Sequence, residues 1–437
     1  MATQTRVALN ELTATEAARA IAAREITSEA LTRACLDRIA ARDGKLRAWT
    51  HIDPARALAE ARERDRSSAR GPLHGVPVGV KDVIDVEDTP TEYGSVLYRG
   101  HRPAADSACV AAAREAGAVI LGKTATTEFA SPWPAGVRNP HDATRTPGVS
   151  SSGSAAAVAD FMVPLAFGTQ TGGSTIRPAS YCGLWGFKAS LDGLPRAGIR
   201  HLKPGIDTLG LFARSLADIV LFRAGLTADS PSIAPPSASP RIGVCGTPHW
   251  SQALPETVAA IETVAKRCSA AGAKVSDVEL PDGFDAAMTA FRVLSSVENR
   301  RSFAAELAHG EVSFNPWIRD SLAASRTTTG KEYAGAKAEG AAYRARYARL
   351  FDSFDLLLTA SADGEAPPVV APMATPGAFN AFWTWMYGPA LNVPAYTGPN
   401  GLPVGIQLVG REGEDARLLS SAAWLEKALG KLPIAVD

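Results

Sequence analysis

Two serines set in glycine, and a lysine that closes a run of alternating valines, could do chemistry in this chain. Ser150 lies in Thr146-Pro147-Gly148-Val149-Ser150-Ser151-Ser152-Gly153-Ser154, and Ser174 ends Gly168-Thr169-Gln170-Thr171-Gly172-Gly173-Ser174. Glycine lets backbone N–H groups come close to a ligand. A serine at such a turn, with a helix expected to start near Pro178, sits among unpaired donors that suit an oxyanion. Val76, Val78 and Val80 alternate as a strand does, which puts Lys81 at its end and on the opposite face. A glycine-rich turn and an ordinary surface lysine are the plainer readings of these stretches taken singly. Their meaning depends on whether the fold brings them together.

Other constellations are weaker. Gly117-Ala118-Val119-Ile120-Leu121-Gly122-Lys123-Thr124 matches the spacing of a phosphate-binding loop. However, it places four apolar residues where such a loop needs flexible backbone, and weak helix formers follow it, so a buried strand over Ala118–Leu121 is the better expectation. There is no Gly-x-Ser-x-Gly, His-Glu-x-x-His or Ser-x-x-Lys. The seven histidines are dispersed and none falls in a serine cluster, so a Ser-His-Asp mechanism is left open but unsupported.

The elements needed to position these residues follow from pattern. Residues 11–41 read as two amphipathic helices, capped by Thr13 and by Thr27 or Ser28, and Pro54–Arg66 as a third. Ser107–Gly117 reads as a helix, Ala155–Ala159 favours one, and Phe161–Phe167 reads as a short buried strand that Pro164 should make start late. Ser215 can cap a helix, and Asp229–Pro240 is a Pro/Ser-rich exposed connection. Ile242–Cys245 and Lys274–Leu280 flank a helix as an α/β unit. Residues 283–350 are mostly helical with an isolated Trp317. Leu356–Leu358 and Val404–Val409 are strands, and Arg417–Leu429 is a closing helix. The aromatic group Phe379, Phe382, Trp383, Trp385 and Tyr387 fits a core better than a pocket wall.

Composition narrows the class. The 437 residues are 46% hydrophobic and 21% charged, with 45 basic and 45 acidic side chains, so no net field recruits nucleic acid or an anionic membrane. No stretch is apolar enough to span a bilayer and none resembles a signal peptide, which suggests the cytoplasm. Five scattered cysteines indicate neither a disulfide framework nor a zinc site.

Gly75–Asp82, Pro147–Ala159 and Gly168–Pro178 resemble, in order and spacing, the three linked motifs of the amidase signature family. The step from Ser150 to Ser174 agrees as well, and Gly401–Gly410 is similar to the family's late strand. The resemblance implies an α/β/α sandwich around a large mixed sheet. It also implies a single domain over 1–437, with N-terminal helices in 1–66, the signature core in 70–220 and a substrate-lining part in 240–437. It makes Ser174 the nucleophile, Ser150 a bridging serine after a cis peptide bond, and Lys81 the base. The N–H groups of Thr171, Gly172, Gly173 and Ser174 become oxyanion donors. For Lys81 to be neutral at pH 7, its pKa must fall from about 10.4, a bias of about 4–5 kcal/mol that burial can supply.

The chain departs from the family pattern at Val149 and Ser152 (commonly glycine), Gln170 (commonly aspartate) and Ala189 (commonly proline). Relatives of malonamidase type carry an arginine at the place of Arg177, where it can hold a substrate carboxylate; a structural arginine is the other reading. The expected activity is hydrolysis of a small amide without metal or cofactor, extending to esters or carbamates as in urethanases. The family alternative is the amidase component of a tRNA-dependent amidotransferase, and a further one is a non-catalytic binder on the same fold. A homodimer is left open. Substrate-lining residues are expected from 125–140, 283–350 and 375–390.

Overall fold

In the computed structural model, residues 7–87, 89–308, 314–369 and 377–430 are described. Eleven strands form one mixed sheet. In chain order they are β1 (Trp49–Ile52), β2 (Pro77–Lys81), β3 (Val119–Thr124), β4 (Leu165–Gln170), β5 (Trp185–Lys188), β6 (Thr208–Ala213), β7 (Arg241–Val244), β8 (Lys274–Asp277), β9 (Leu356–Ala360), β10 (Ala390–Thr397) and β11 (Pro403–Val409). Their spatial order is β1-β3-β2-β4-β6-β5-β10-β11-β9-β7-β8. β2 runs parallel to both β3 and β4, and β4 runs antiparallel to β6.

Both faces of the central strands are buried, by alternation. Val78, Val80, Ile120, Leu165, Phe167 and Leu211 point into one apolar cluster with Val110, Ile219 and Phe222. Leu121, Ala166 and Phe212 point into another with Leu31, Trp49 and the alanines 155–157. The α/β/α layering expected for the chain follows from this arrangement.

Several boundaries differ from expectation for physical reasons. β4 starts only after Pro164, which has no N–H to give a ladder, and it runs on to Gln170. β3 continues through Lys123 and Thr124, so the loop-like spacing there is a fully buried strand, as its apolar residues suggest. Lys274–Leu280 pairs only as far as Asp277, at an exposed sheet edge. Thr13 and Thr27 accept from the N–H of Glu16 and Ala30 and cap their helices; Ser28 instead donates to the Gly75 carbonyl just ahead of β2. Ser215 caps the helix Leu216–Thr227 as expected. The helix Ser152–Ala159 is buried along its whole length. Its alanines and Gly153 permit this closeness: a Cβ on Gly153 would lie 2.3 Å from the Ala48 carbonyl oxygen.

No described helix is long and apolar enough to cross a membrane. The five cysteines are buried and unpaired. His309 and residues 375–376, which fall within expectations above, lie outside the described residues.

Candidate active site

The strand register carries Lys81 to the serines. Val78 and Val80 fill the core on one side of β2, so Lys81, one residue on, faces the segment that holds Ser150. Lys81 Nζ is 2.8 Å from Ser150 Oγ and 2.7 Å from Thr169 Oγ1, hydrogen-bonded to both. Thr169, near the end of β4, is held through Ser151, whose Oγ accepts from the Thr169 N–H. Sequence alone does not single out Thr169; its position two residues before Thr171, on a strand parallel to β2, is the available signal.

Three lysines are fully buried among the described residues, and their partners separate them. Lys123 bonds the Ile84 carbonyl and Thr91 and pairs with Asp82 at 3.4 Å. Lys188 donates to the carbonyls of Ala189 and Gly388. Burial brings the pKa of both down to about 8, opposed by Asp82 and Asp85 at Lys123 and by Asp415 and Glu412 at Lys188. Lys81 meets only hydroxyls, and burial brings its pKa down to about 7, opposed by the more distant charge of Asp207. An amine of that kind is half neutral near pH 7 and can take a proton from a hydroxyl.

Ser174 is half-buried at a turn between β4 and the helix Ile176–Tyr181. It lines a recess of about 20 Å³ together with Ser150, Thr169, Thr171 and Asp207. That is room for about one water molecule. It also lines an adjoining cavity of about 270 Å³. The N–H groups of Thr171, Gly172, Gly173 and Ser174 donate to no described residue. Four consecutive free donors beside a hydroxyl are the arrangement an oxyanion requires. The next two N–H groups, of Thr175 and Ile176, are taken by Gln170 Oε1, each at 3.0 Å. Gln170, at the place where aspartate is common in the resembled family, thus does the capping with a neutral amide. It is anchored through Thr384.

Gly173 holds this loop in shape. Its φ of 128° is one that side chains rarely adopt, and an added Cβ would lie 2.4 Å from Asn380 Oδ1. Gly173→Ala is therefore expected to lower kcat/KM by about 10²-fold or more, as loss of one oxyanion donor does. It should also destabilise by about 1–3 kcal/mol. Steady-state kinetics and thermal unfolding check both.

The Val149–Ser150 peptide is cis. Val149 is buried and its carbonyl accepts from Arg177 Nη2 at 2.9 Å. Arg177 is itself buried and lines the larger cavity, while its Nε has no partner among the described residues. Asp207 is not singled out by sequence either. It accepts from Thr171 Oγ1 and from the N–H groups of Leu202 and Lys203, tying the 199–203 segment to the oxyanion turn. His201 also lines the recess, but its Nε2 faces the Arg196 carbonyl and its Nδ1 faces Asp207 at 3.9 Å. Neither ring nitrogen is directed at a serine, so the geometry gives no support to a Ser-His-Asp arrangement.

The larger cavity draws on all three expected stretches, through Ala130 and Pro132, Phe291 and Trp317, and Gly377 and Ala381. Phe379, Phe382, Trp383 and Trp385 pack into the core with Tyr387 half-buried against it, and none of them lines the cavity. Phe291 and Trp317 supply the aromatic wall instead.

The Amidase family model matches residues 30–419. The chain belongs to the amidase family. AmiD of Mycobacterium tuberculosis (strain ATCC 25618 / H37Rv) is 33% identical over 470 residues, covering 97% of this chain and 95% of AmiD. The A component of the glutamyl-tRNA(Gln) amidotransferase of Salinispora arenicola (strain CNS-205) is 31% identical, covering 97% of this chain and 98% of that component. Among solved structures, the native peptide amidase of Stenotrophomonas maltophilia is similar with a TM-score of 0.81 and 30% identity, covering 95% of this chain and 96% of that one. A crystal structure of an amidase reaches 0.88 at 30% identity, covering 96% and 100%.

Proposed function

We propose that this amidase hydrolyses the C–N bond of a small amide through an acyl-enzyme on Ser174. The observation that carries this reading is the buried Lys81 amine, 2.8 Å from Ser150 Oγ in a recess that Ser174 also lines. Neutral Lys81, steadied by Thr169, takes the Ser150 proton as Ser150 takes that of Ser174. Ser174 Oγ adds to the carbonyl carbon, and the N–H groups of residues 171–174 hold the resulting oxyanion. The relay then returns a proton to the nitrogen as the C–N bond breaks. Water then gives a proton to the relay, neutral again, as it adds to the acyl carbon, and the relay returns that proton to Ser174 Oγ as the acid leaves. No step calls for a metal or cofactor.

A fluorophosphonate should label the protein at Ser174 and leave Ser174→Ala unlabelled; absence of labelling would favour a binder on the same fold. Turnover across amides, anilides, esters and carbamates then sets the range of leaving groups. Identity to the A components of amidotransferases favours a second reading, a chain working in a complex. Copurification of partner subunits supports it, and amide turnover by the isolated chain counts against it. As the alternative seat for a substrate carboxylate, Arg177 would take it while still bracing the Val149 carbonyl. Arg177→Gln is then expected to weaken carboxylated substrates by about 10-fold or more relative to neutral ones. Equal losses on both, measured as kcat/KM, would leave it a purely bracing role.

A further inference from the structure

The larger cavity has a one-sided charge. Its described lining includes Arg177, Lys203 and Arg292 and no carboxylate side chain. Lys203 differs from the two arginines. Arg177 already holds the Val149 carbonyl, and Arg292, exposed at the mouth, donates to Thr289. The Lys203 side chain is nine-tenths buried, and its Nζ, which bonds no described residue, is open to the cavity and not sealed in the core. Its ammonium lies 5.8 Å from the centre of the Trp317 ring, on the wall shared by the cavity and the recess. Burial lowers its pKa below the usual lysine value, opposed by the nearby charges of Asp207 and Glu298, neither of which forms an ion pair with it.

A cation on a side chain so largely buried has lost most of its hydration, which an anion in the cavity would replace. The backbone that carries Lys203 is fixed by the bonds from Leu202 and Lys203 N–H to Asp207.

We infer that Lys203, backed by Trp317 and with Arg292 at the entrance, is the specificity residue for a carboxylate carried by the substrate away from its scissile amide. This deepens the amidase reading and rests on it for the identity of the cavity. The substrate class is then a small amide of a dicarboxylic acid, or an amide whose amine portion bears the acid.

The test is direct binding to full-length Ser174→Ala protein, measured by calorimetry with two matched probes, succinamate and its neutral diamide succinamide. Succinamate is expected to bind at least about 10-fold more tightly, the range of a hydrogen bond to a charged group. Lys203→Met should remove that preference and Lys203→Arg should retain most of it. Arg292→Glu, on the exposed rim where folding is not at stake, should weaken succinamate alone by several-fold. Equal binding of the two probes, or no binding of succinamate at millimolar concentration, would overturn the inference. So would a preference that survives Lys203→Met, which would seat the carboxylate on Arg177. Hydrolysis plays no part in this readout. An absence of turnover in the amide panel therefore counts against the amidase reading alone, and binding without charge preference counts against Lys203 alone.

Discussion

Ser174→Ala is expected to reduce kcat by about 10⁴-fold or more, on the order of what removing a nucleophile from a coupled triad does. The fold should barely notice, with stability within about 0.5 kcal/mol of the parent. Ser174 is half-buried, and its hydroxyl bonds no described residue. Ser150 is in a different position. Its Oγ bonds Lys81, whose other hydroxyl partner is Thr169, and it shares the recess with Ser174 without a hydrogen bond to it among the described residues, so the proposed relay needs the two serines to close on each other. Ser150→Ala should also lower kcat strongly, because the base keeps its place and loses its route to Ser174. Groups that act as one unit are not additive, so the Ser150→Ala/Ser174→Ala double variant should fall no further than Ser174→Ala. Additive losses, or a Ser174→Ala enzyme within about tenfold of the parent, would remove this serine from the chemistry.

The parts of this site that can be read from sequence are those that local physics dictates. Alternating valines fix which side of β2 Lys81 faces, and glycine at 172 and 173 marks a turn with free N–H groups. Proline at 164 delays the strand that follows it. What cannot be read depends on which strands become neighbours. Lys123 and Lys81 look alike in sequence, each following a run of apolar strand residues. Only the β1-β3-β2-β4 order decides that Lys123 meets Asp82 and a backbone carbonyl while Lys81 meets Ser150 and Thr169. Asp207 escapes notice for the same reason, because its partners Thr171 and Leu202 come from separate turns. The aromatic group from Phe379 fits a core better than a wall by composition, and all of it but the half-buried Tyr387 is core. The pocket takes Trp317 from a helical region whose pattern says nothing about where its outer face points.

Lys81→Met separates a working base from a lysine that merely fills space, because the two readings differ in how stability responds to pH. The amine is expected to act only when neutral, so kcat/KM of the parent should rise about tenfold per pH unit below pH 7 and level off above it. The variant should be inactive throughout. The sign for folding follows from where the proton sits. In the unfolded chain Lys81 keeps its proton up to about 10.5, while in the folded protein it loses it near 7. Between those values the unfolded state binds more protons, so the parent gains stability as pH rises through this window. Below about pH 7 the full penalty applies, about 4–5 kcal/mol for a shift of roughly 3.5 units. Methionine abolishes that penalty, at a roughly constant loss of about 1–3 kcal/mol for each hydroxyl left without a partner. The variant's stability relative to the parent should therefore be greatest near pH 6 and decline by several kcal/mol toward pH 10. Urea unfolding of both proteins at the two ends of this range measures it. Parallel curves, with no change in the difference, would mean that Lys81 stays charged in the folded protein, and a permanently charged ammonium could not take the proton from Ser150.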